Sequence, residues 1–87
     1  MTRPVEPQDL AALIGVLAIC EGEMMLMEPT GRLLTNRLAV RLHGEGLLPA
    51  EATERQVRQA VNDLNHRLRY AKGEYDHPLE PQPVPEL

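Results

Sequence analysis

The feature that most constrains the fold is a capping box followed by a long amphipathic pattern. In Thr53-Glu54-Arg55-Gln56, a threonine and a glutamine three residues apart can satisfy each other's backbone donors at a helix N-terminus. Four apolar residues then recur at helical spacing and form one stripe: Val57, Val61, Leu64 and Leu68. The pattern predicts a helix from about Glu54 to Ala71, closed by Gly73.

A first helix is predicted upstream, with Asp9 as its N-cap. Its apolar residues recur at i, i+3, i+4 and i+7, namely Leu10, Leu13, Ile14 and Leu17. Because the segment is apolar nearly all round, the helix is either central to the core or one half of an intermolecular contact. It ends at Gly22 or runs on to Met27, and Met24 to Met27 favour a core or a dimer seam.

The segment between the two helices is harder to assign. Pro29-Thr30-Gly31 predicts a turn, and Arg32-Leu33-Leu34 is short enough to be a brief strand. Thr35 is then a suitable N-cap for a second helix that carries Leu38 and Leu42. Gly44 and Gly46 bracket the end of that helix.

The whole chain has room for one small domain. Its 87 residues predict a flexible arm at 1–8, a helical domain at 9–72 and an acidic, proline-rich tail at 73–87. The absence of Trp and Phe leaves an aliphatic core, which suits packed helices better than sheets. The expected fold is therefore mostly α: a three-helix bundle with at most a short strand and an extended tail. A core this small also favours oligomerisation.

Several classes of function are not expected. Cys20 is the single cysteine, so no internal disulfide forms and a reducing, cytoplasmic compartment is the simpler interpretation. The longest apolar run, Leu10 to Cys20, is too short to span a bilayer, for which about 20 residues are needed. His43, His66 and His77 match no metal-ligand spacing, and no nucleophile, base and orienting group can be assembled. We therefore predict no enzyme, no metal, no cofactor, no small-molecule substrate and no membrane partner.

Charge is distributed unevenly along the chain. Between Glu54 and Lys72 there are five basic residues and two acidic ones, a net charge of +3, whereas the tail from Gly73 onward has four acidic residues and no basic one. Amides and arginines share the predicted polar face of the last helix, which suits base edges and phosphates in a major groove. The residues predicted to bind nucleic acid are Arg55, Arg58, Gln59, Asn62, His66 and Arg69. The alternative interpretation of this face is an ordinary solvated surface.

The order of these features resembles the winged-helix effector domains of two-component response regulators and related actinobacterial regulators. Gly31-Arg32-Leu33-Leu34-Thr35 resembles their short strand, and His43-Gly44-Glu45-Gly46 resembles the segment that ends their second helix. Glu54-Arg55-Gln56-Val57 through Leu64-Asn65-His66-Arg67-Leu68-Arg69 resembles the recognition helix, so the similarity covers about residues 10 to 72. The resemblance implies a winged-helix-like or helix-turn-helix fold. Because no β-hairpin wing follows the recognition helix, it also implies that two copies bind DNA together.

Two functions follow as hypotheses. The first is a small DNA-binding, transcription-associated regulator that binds double-stranded DNA through residues 54–71. The second is a homodimeric protein-interaction or adaptor module without nucleic-acid binding, which uses the apolar first helix and the methionine cluster. In either case the acidic tail could fold onto the basic helix and mask it.

Overall fold

The structure is a computed structural model that describes residues 4–26, 28–74, 77 and 82–85. The described residues form three α-helices and no strand: α1 spans Pro7–Met25, α2 Pro29–Gly44 and α3 Glu54–Lys72. Each helix packs against the other two, and the most extensive contact is between α1 and α3. The prediction of a mostly α, three-helix bundle is confirmed.

Helix α1 begins before the predicted N-cap, Asp9, and ends after Gly22, the earlier of its two predicted ends. Glu6 is the N-cap and Pro7 occupies the first turn, where its missing N–H leaves no hydrogen bond unmade. The prediction of Asp9 as N-cap is wrong. Its carboxylate lies instead in the first turn, where the helix dipole favours negative charge. The helix continues through Gly22 and ends at Met25. It is therefore closer to the longer of the two predicted alternatives, which ended at Met27.

Helix α2 takes in the segment where a turn and a brief strand were expected. Pro29 starts the helix, with Glu28 as N-cap, so the predicted turn at Pro29-Thr30-Gly31 and the possible strand at Arg32-Leu33-Leu34 are both wrong. Thr35 is not an N-cap. It lies buried inside the helix, and its Oγ1 donates a hydrogen bond of 2.8 Å to the Gly31 carbonyl one turn earlier. The predicted glycine end is confirmed, since the helix ends at Gly44.

Helix α3 forms as predicted. The Gln56 backbone N–H donates to Thr53 Oγ1 at 3.1 Å, and the Thr53 backbone N–H donates to Gln56 Oε1 at 2.8 Å, which completes the capping box. Gly73 ends the helix with φ of +94°, a left-handed conformation that glycine adopts without a steric penalty. The helix extends one residue beyond the predicted Ala71.

The core is small and lies where the three helices meet. Its buried members are Met24, Leu42, Leu48, Val57 and Val61. Val57 and Val61 belong to the predicted stripe of α3, while Leu64 and Leu68 are half-buried. The methionine cluster divides: Met24 is in the core, Met25 is exposed, and Met27 lies outside the described residues. None of the described helices combines the length and hydropathy needed to cross a bilayer.

Candidate functional site

The polar face of α3 contacts other parts of the chain, beginning with the tail. Residues 82–85 lie along the N-terminal half of the helix, and the predicted DNA-binding residues hold their backbone. Arg58 Nη1 donates to the Pro85 carbonyl oxygen at 2.6 Å, and Arg55 Nη2 lies 3.5 Å from the Val84 carbonyl oxygen. Arg58 is only 6% exposed. The sequence predicted an outward-facing guanidinium at this position, and it is buried by the tail.

Gln59 makes the most complete contact with the tail. Its Nε2 donates to the Gln82 carbonyl oxygen at 2.7 Å, and its Oε1 accepts from the Val84 N–H at 2.8 Å. The same Nε2 also donates to Asp63 Oδ1 at 2.9 Å, which holds the side-chain amide in place. One glutamine thus pairs with both a donor and an acceptor of the tail backbone.

Further along α3, the polar face turns toward α1. Asn62 Nδ2 donates to Glu21 Oε2 at 3.3 Å, and Arg69 Nε donates to Asn65 Oδ1 at 2.8 Å. Asn65 is buried and donates through Nδ2 to the Ile14 carbonyl oxygen at 3.1 Å. Asn65 was not among the residues predicted for this site. The available signal was its position one turn after Val61, on the edge of the apolar stripe.

A cavity of about 130 Å³ remains beside the tail, between α1 and α3. Its walls come from both helices and from the tail: Glu21, Met25, Arg58, Asn62, His66 and residues 82–85. Of the six predicted nucleic-acid-binding residues, the structure therefore brings Arg58, Asn62 and His66 to the wall of one cavity. Arg55 and Gln59 contact the tail beside it, and Arg69 lies at the α1–α3 contact.

The outer face of α1 is a second candidate surface. Leu13, Val16 and Ile19 are exposed there, Ile19 at 68%. Two glycines, Gly15 and Gly22, lie on exposed positions of the same helix, and a Cβ built on either would meet no atom within 4 Å. Within the described part of the chain, nothing covers these glycines.

The helices also differ in charge. Helix α1 has Asp9, Glu21 and Glu23 and no Lys or Arg, so its net charge is −3. Helix α2 has three arginines and no acidic residue, so its net charge is +3; these are Arg32, Arg37 and Arg41. All three arginines are exposed, and Arg41 pairs with Glu45 at 3.5 Å.

No arrangement typical of a metal site occurs among the described residues: no group of three His, Cys, Asp or Glu side chains is placed to hold an ion. His43 Nδ1 lies 2.8 Å from the Leu48 carbonyl oxygen and helps to fix the turn after α2. Cys20 is a half-buried thiol on α1. The expectation that the chain is not an enzyme and binds no cofactor stays a prediction.

No protein-family model, curated protein or solved structure matches this chain. The resemblance to winged-helix effector domains therefore stays a prediction.

Proposed function

We propose that this chain is a protein-interaction module that acts as a homodimer. The observation that carries the proposal is the exposed apolar face of α1, which Leu13, Val16 and Ile19 form. Removing apolar surface from water contributes roughly 25 cal/mol per Å², so covering this face is favourable. The core cluster among the described residues has five buried members, which makes additional burial against a second subunit more valuable.

The glycines of α1 support a helix as the covering element. An interior glycine costs a helix about 1 kcal/mol relative to alanine. Neither Gly15 nor Gly22 is required by packing within the described chain, because the space beside each is open. A glycine allows another backbone to approach closely, so both positions suit a second helix laid across α1.

Charge complementarity favours a second copy of this chain as the partner. Two α1 helices laid together would bring two acidic helices into contact, whereas α1 against α2 of the other copy sets the exposed Asp9 and Glu23 against three exposed arginines. The outer face of α2 also exposes Leu33 and Val40, the latter at 75%. Each copy can thus supply an acidic apolar face and a basic apolar face.

Interface size favours a reciprocal pairing, in which α1 of each copy contacts α2 of the other. A stable interface buries about 800 Å² per partner. A 19-residue helix such as α1 is about 28 Å long and about 10 Å wide, so one helix face alone projects less than half of that area. Two contacts, α1 with α2 of the second copy and α2 with α1 of the second copy, would nearly double the buried area.

The test is the molecular mass in solution, measured by sedimentation equilibrium. We expect twice the chain mass of 9.8 kDa for the wild type. Ile19→Asp places a charge on the apolar face, and we expect it to weaken dimerisation at least about 100-fold. Leu47→Asp is the matched control, because Leu47 is also exposed but lies in the turn between α2 and α3. A wild-type monomer at millimolar concentration would contradict the proposal.

A charge reversal tests the choice of partner face. Arg37→Glu should weaken the dimer, and Glu23→Arg in the same chain should restore part of the affinity, because the two helices then exchange one charge each. Arg67→Glu on α3 controls for the change in net charge. If Arg67→Glu weakens the dimer as much as Arg37→Glu does, α2 is not the partner face.

Nucleic-acid binding through α3 is the second candidate function. The observation that favours it is the net charge of +3 on α3, with Arg67 and Lys72 exposed. In the structure the tail backbone occupies Arg58 and Gln59, so a duplex could reach them only after the tail leaves. On this hypothesis the tail is autoinhibitory.

The corresponding test is fluorescence anisotropy with a labelled 20-base-pair duplex at several salt concentrations. Val84→Asp, which should release the tail, is expected to bind more tightly than the wild type. The log of its affinity should fall with log salt by about 0.9 for each phosphate contacted. If neither protein binds the duplex at low salt, the DNA-binding hypothesis fails.

A further inference from the structure

We propose that the groove between α1 and α3 is a receptor site for an extended, proline-alternating peptide of another protein, and that the chain's own tail is a competing occupant. Four hydrogen bonds join residues 82–85 to Arg55, Arg58 and Gln59, and each of them uses a backbone atom of the tail. Backbone recognition depends on an extended conformation more than on side-chain identity. Any segment with the same backbone pattern presents the same atoms.

The hydrogen-bonding pattern indicates which peptides fit. In Pro83-Val84-Pro85 only Val84 has a backbone N–H, because proline has none. The groove provides an acceptor for that N–H, Gln59 Oε1, and donors for the carbonyl groups of Gln82 and Pro85. A Pro-x-Pro segment therefore leaves no N–H unsatisfied in this groove. Proline also holds the peptide extended before it binds, which lowers the entropy lost on binding.

Among tail residues 82–85, one side chain is buried in the groove. Val84 is 7% exposed, whereas Gln82, Pro83 and Pro85 remain exposed. Val84 is not a member of the cluster that forms the core of the bundle. The groove thus buries one apolar side chain between two prolines and lies outside the main core.

The described tail residues, 82–85, leave space beside them in the groove. A cavity of about 130 Å³ that is partly open to solvent lies against these four residues. This is room for several waters at about 30 Å³ each, and Met25 and His66 lie on its walls. A peptide with a larger apolar residue at the central position can use this space, so we expect it to bind more tightly than the tail sequence does.

The tail competes with that ligand for the groove and lowers its apparent affinity. The tail is covalently joined to α3, and a ligand joined over a short span of chain has an effective concentration of about 1 mM. If a free peptide of the tail sequence binds with a Kd of about 100 µM, the tethered tail fills the groove about nine-tenths of the time and weakens a competitor about tenfold. The groove then responds only to partners that bind more tightly than the tail.

The experiment uses full-length Val84→Asp, whose tail should leave the groove because a carboxylate replaces the buried side chain. The probe is a fluorescein-labelled peptide with the sequence of residues 81–87, Pro-Gln-Pro-Val-Pro-Glu-Leu. We expect it to bind Val84→Asp about tenfold more tightly than the wild type. A peptide with Asp at the central position is the control and should not bind. Gln59→Ala in the Val84→Asp chain should weaken binding at least tenfold.

A second peptide tests whether the groove prefers another ligand. Leucine at the central position adds one methylene, and we expect about fourfold tighter binding if it enters the cavity. If the leucine peptide binds no more tightly than the valine peptide, the tail is the best ligand of the groove and the proposal fails. Absence of peptide binding by a folded Val84→Asp chain up to 1 mM would also overturn it.

Two further outcomes would give the groove a different role or a different ligand. If Val84→Asp loses its helical circular dichroism, the tail is a structural part of the bundle and not a displaceable occupant. If wild-type affinity for the peptide falls as the protein concentration rises, two copies exchange their tails and the ligand is a second copy. Either result overturns the proposal. The homodimer is tested separately by mass, so the two proposals can fail independently.

Discussion

Gly31 provides a sharp test of how α1 and α2 are held together. It is buried where the N-terminal turn of α2 passes the C-terminal turn of α1. A Cβ at this position would overlap the Glu23 carbonyl oxygen and lie 3.3 Å from the Glu23 carbonyl carbon and 3.7 Å from Met24 Cα. These are backbone atoms, so no side-chain rotation can make room. In Gly31→Ala the two helices must move apart or tilt.

The expected magnitude follows from two opposing terms. Forcing an additional carbon into a packed contact costs about 1–3 kcal/mol, and the backbone neighbours place this site near the upper end. Alanine returns about 1 kcal/mol through its higher helix propensity. The net loss is about 2 kcal/mol. For a domain of this size it should lower the melting temperature by about 8–16 °C, which thermal circular dichroism can measure.

The matched controls are the two glycines of α1. Gly15→Ala and Gly22→Ala gain the same helix propensity and meet open space, so each should raise the free energy of unfolding by about 1 kcal/mol when measured on the dissociated chain. If Gly31→Ala is as stable as the wild type, or if all three variants shift in the same direction, the close crossing of α1 and α2 is refuted.

Two other substitutions test the local interactions of α3. Thr53→Ala removes the capping box and should cost about 1 kcal/mol in urea unfolding, while Thr53→Ser should cost much less; equal losses would mean that the hydroxyl does not cap the helix. Asn65→Ala removes the buried bond to the Ile14 carbonyl oxygen and leaves Arg69 without its acceptor. We expect it to cost about 1–3 kcal/mol, against less than about 0.5 kcal/mol for Asn36→Ala at an exposed position. Similar losses in the two asparagine variants would contradict the buried role of Asn65.

The sequence specifies α3 more completely than α2, and the difference has a physical cause. The bounds of α3 depend on contacts within a few residues, namely a reciprocal cap at Thr53 and a left-handed glycine at Gly73. Gly31 resembles a turn glycine locally, yet it is helical, and the structure gives it a different role: it allows α1 to approach. Such a contact joins two helices, so local turn chemistry could not predict it. Thr35 is similar, because its hydroxyl bonds to a carbonyl inside the helix and does not cap its start.

The polar face of α3 shows the same limit at the level of function. Helical periodicity placed Arg55, Gln59 and Asn62 opposite the Val57–Val61 stripe, and they do lie away from the core cluster. Helical periodicity shows which side chains share a polar face. It does not show whether that face contacts water or another segment of the same chain. The tail and α1 are those segments here, and Arg58 and Asn65 are buried beneath them. The proline alternation of the tail was visible in the sequence, but the groove that binds its backbone was not.

The chemistry of Gln59 is relevant to both ligands proposed for this face, a peptide and a DNA duplex. A carboxamide presents one donor and one acceptor side by side, a pattern that matches the edge of adenine and equally the N–H and C=O groups of an extended peptide. Gln59 uses this pair on Val84 and Gln82, so a duplex that bound Gln59 would compete with the tail for the same two atoms. The apolar face of α1, centred on Ile19, is exposed and is not part of that competition. A variant that releases the tail should therefore change ligand binding at α3 and leave the affinity of the dimer unchanged, whereas Ile19→Asp should do the reverse.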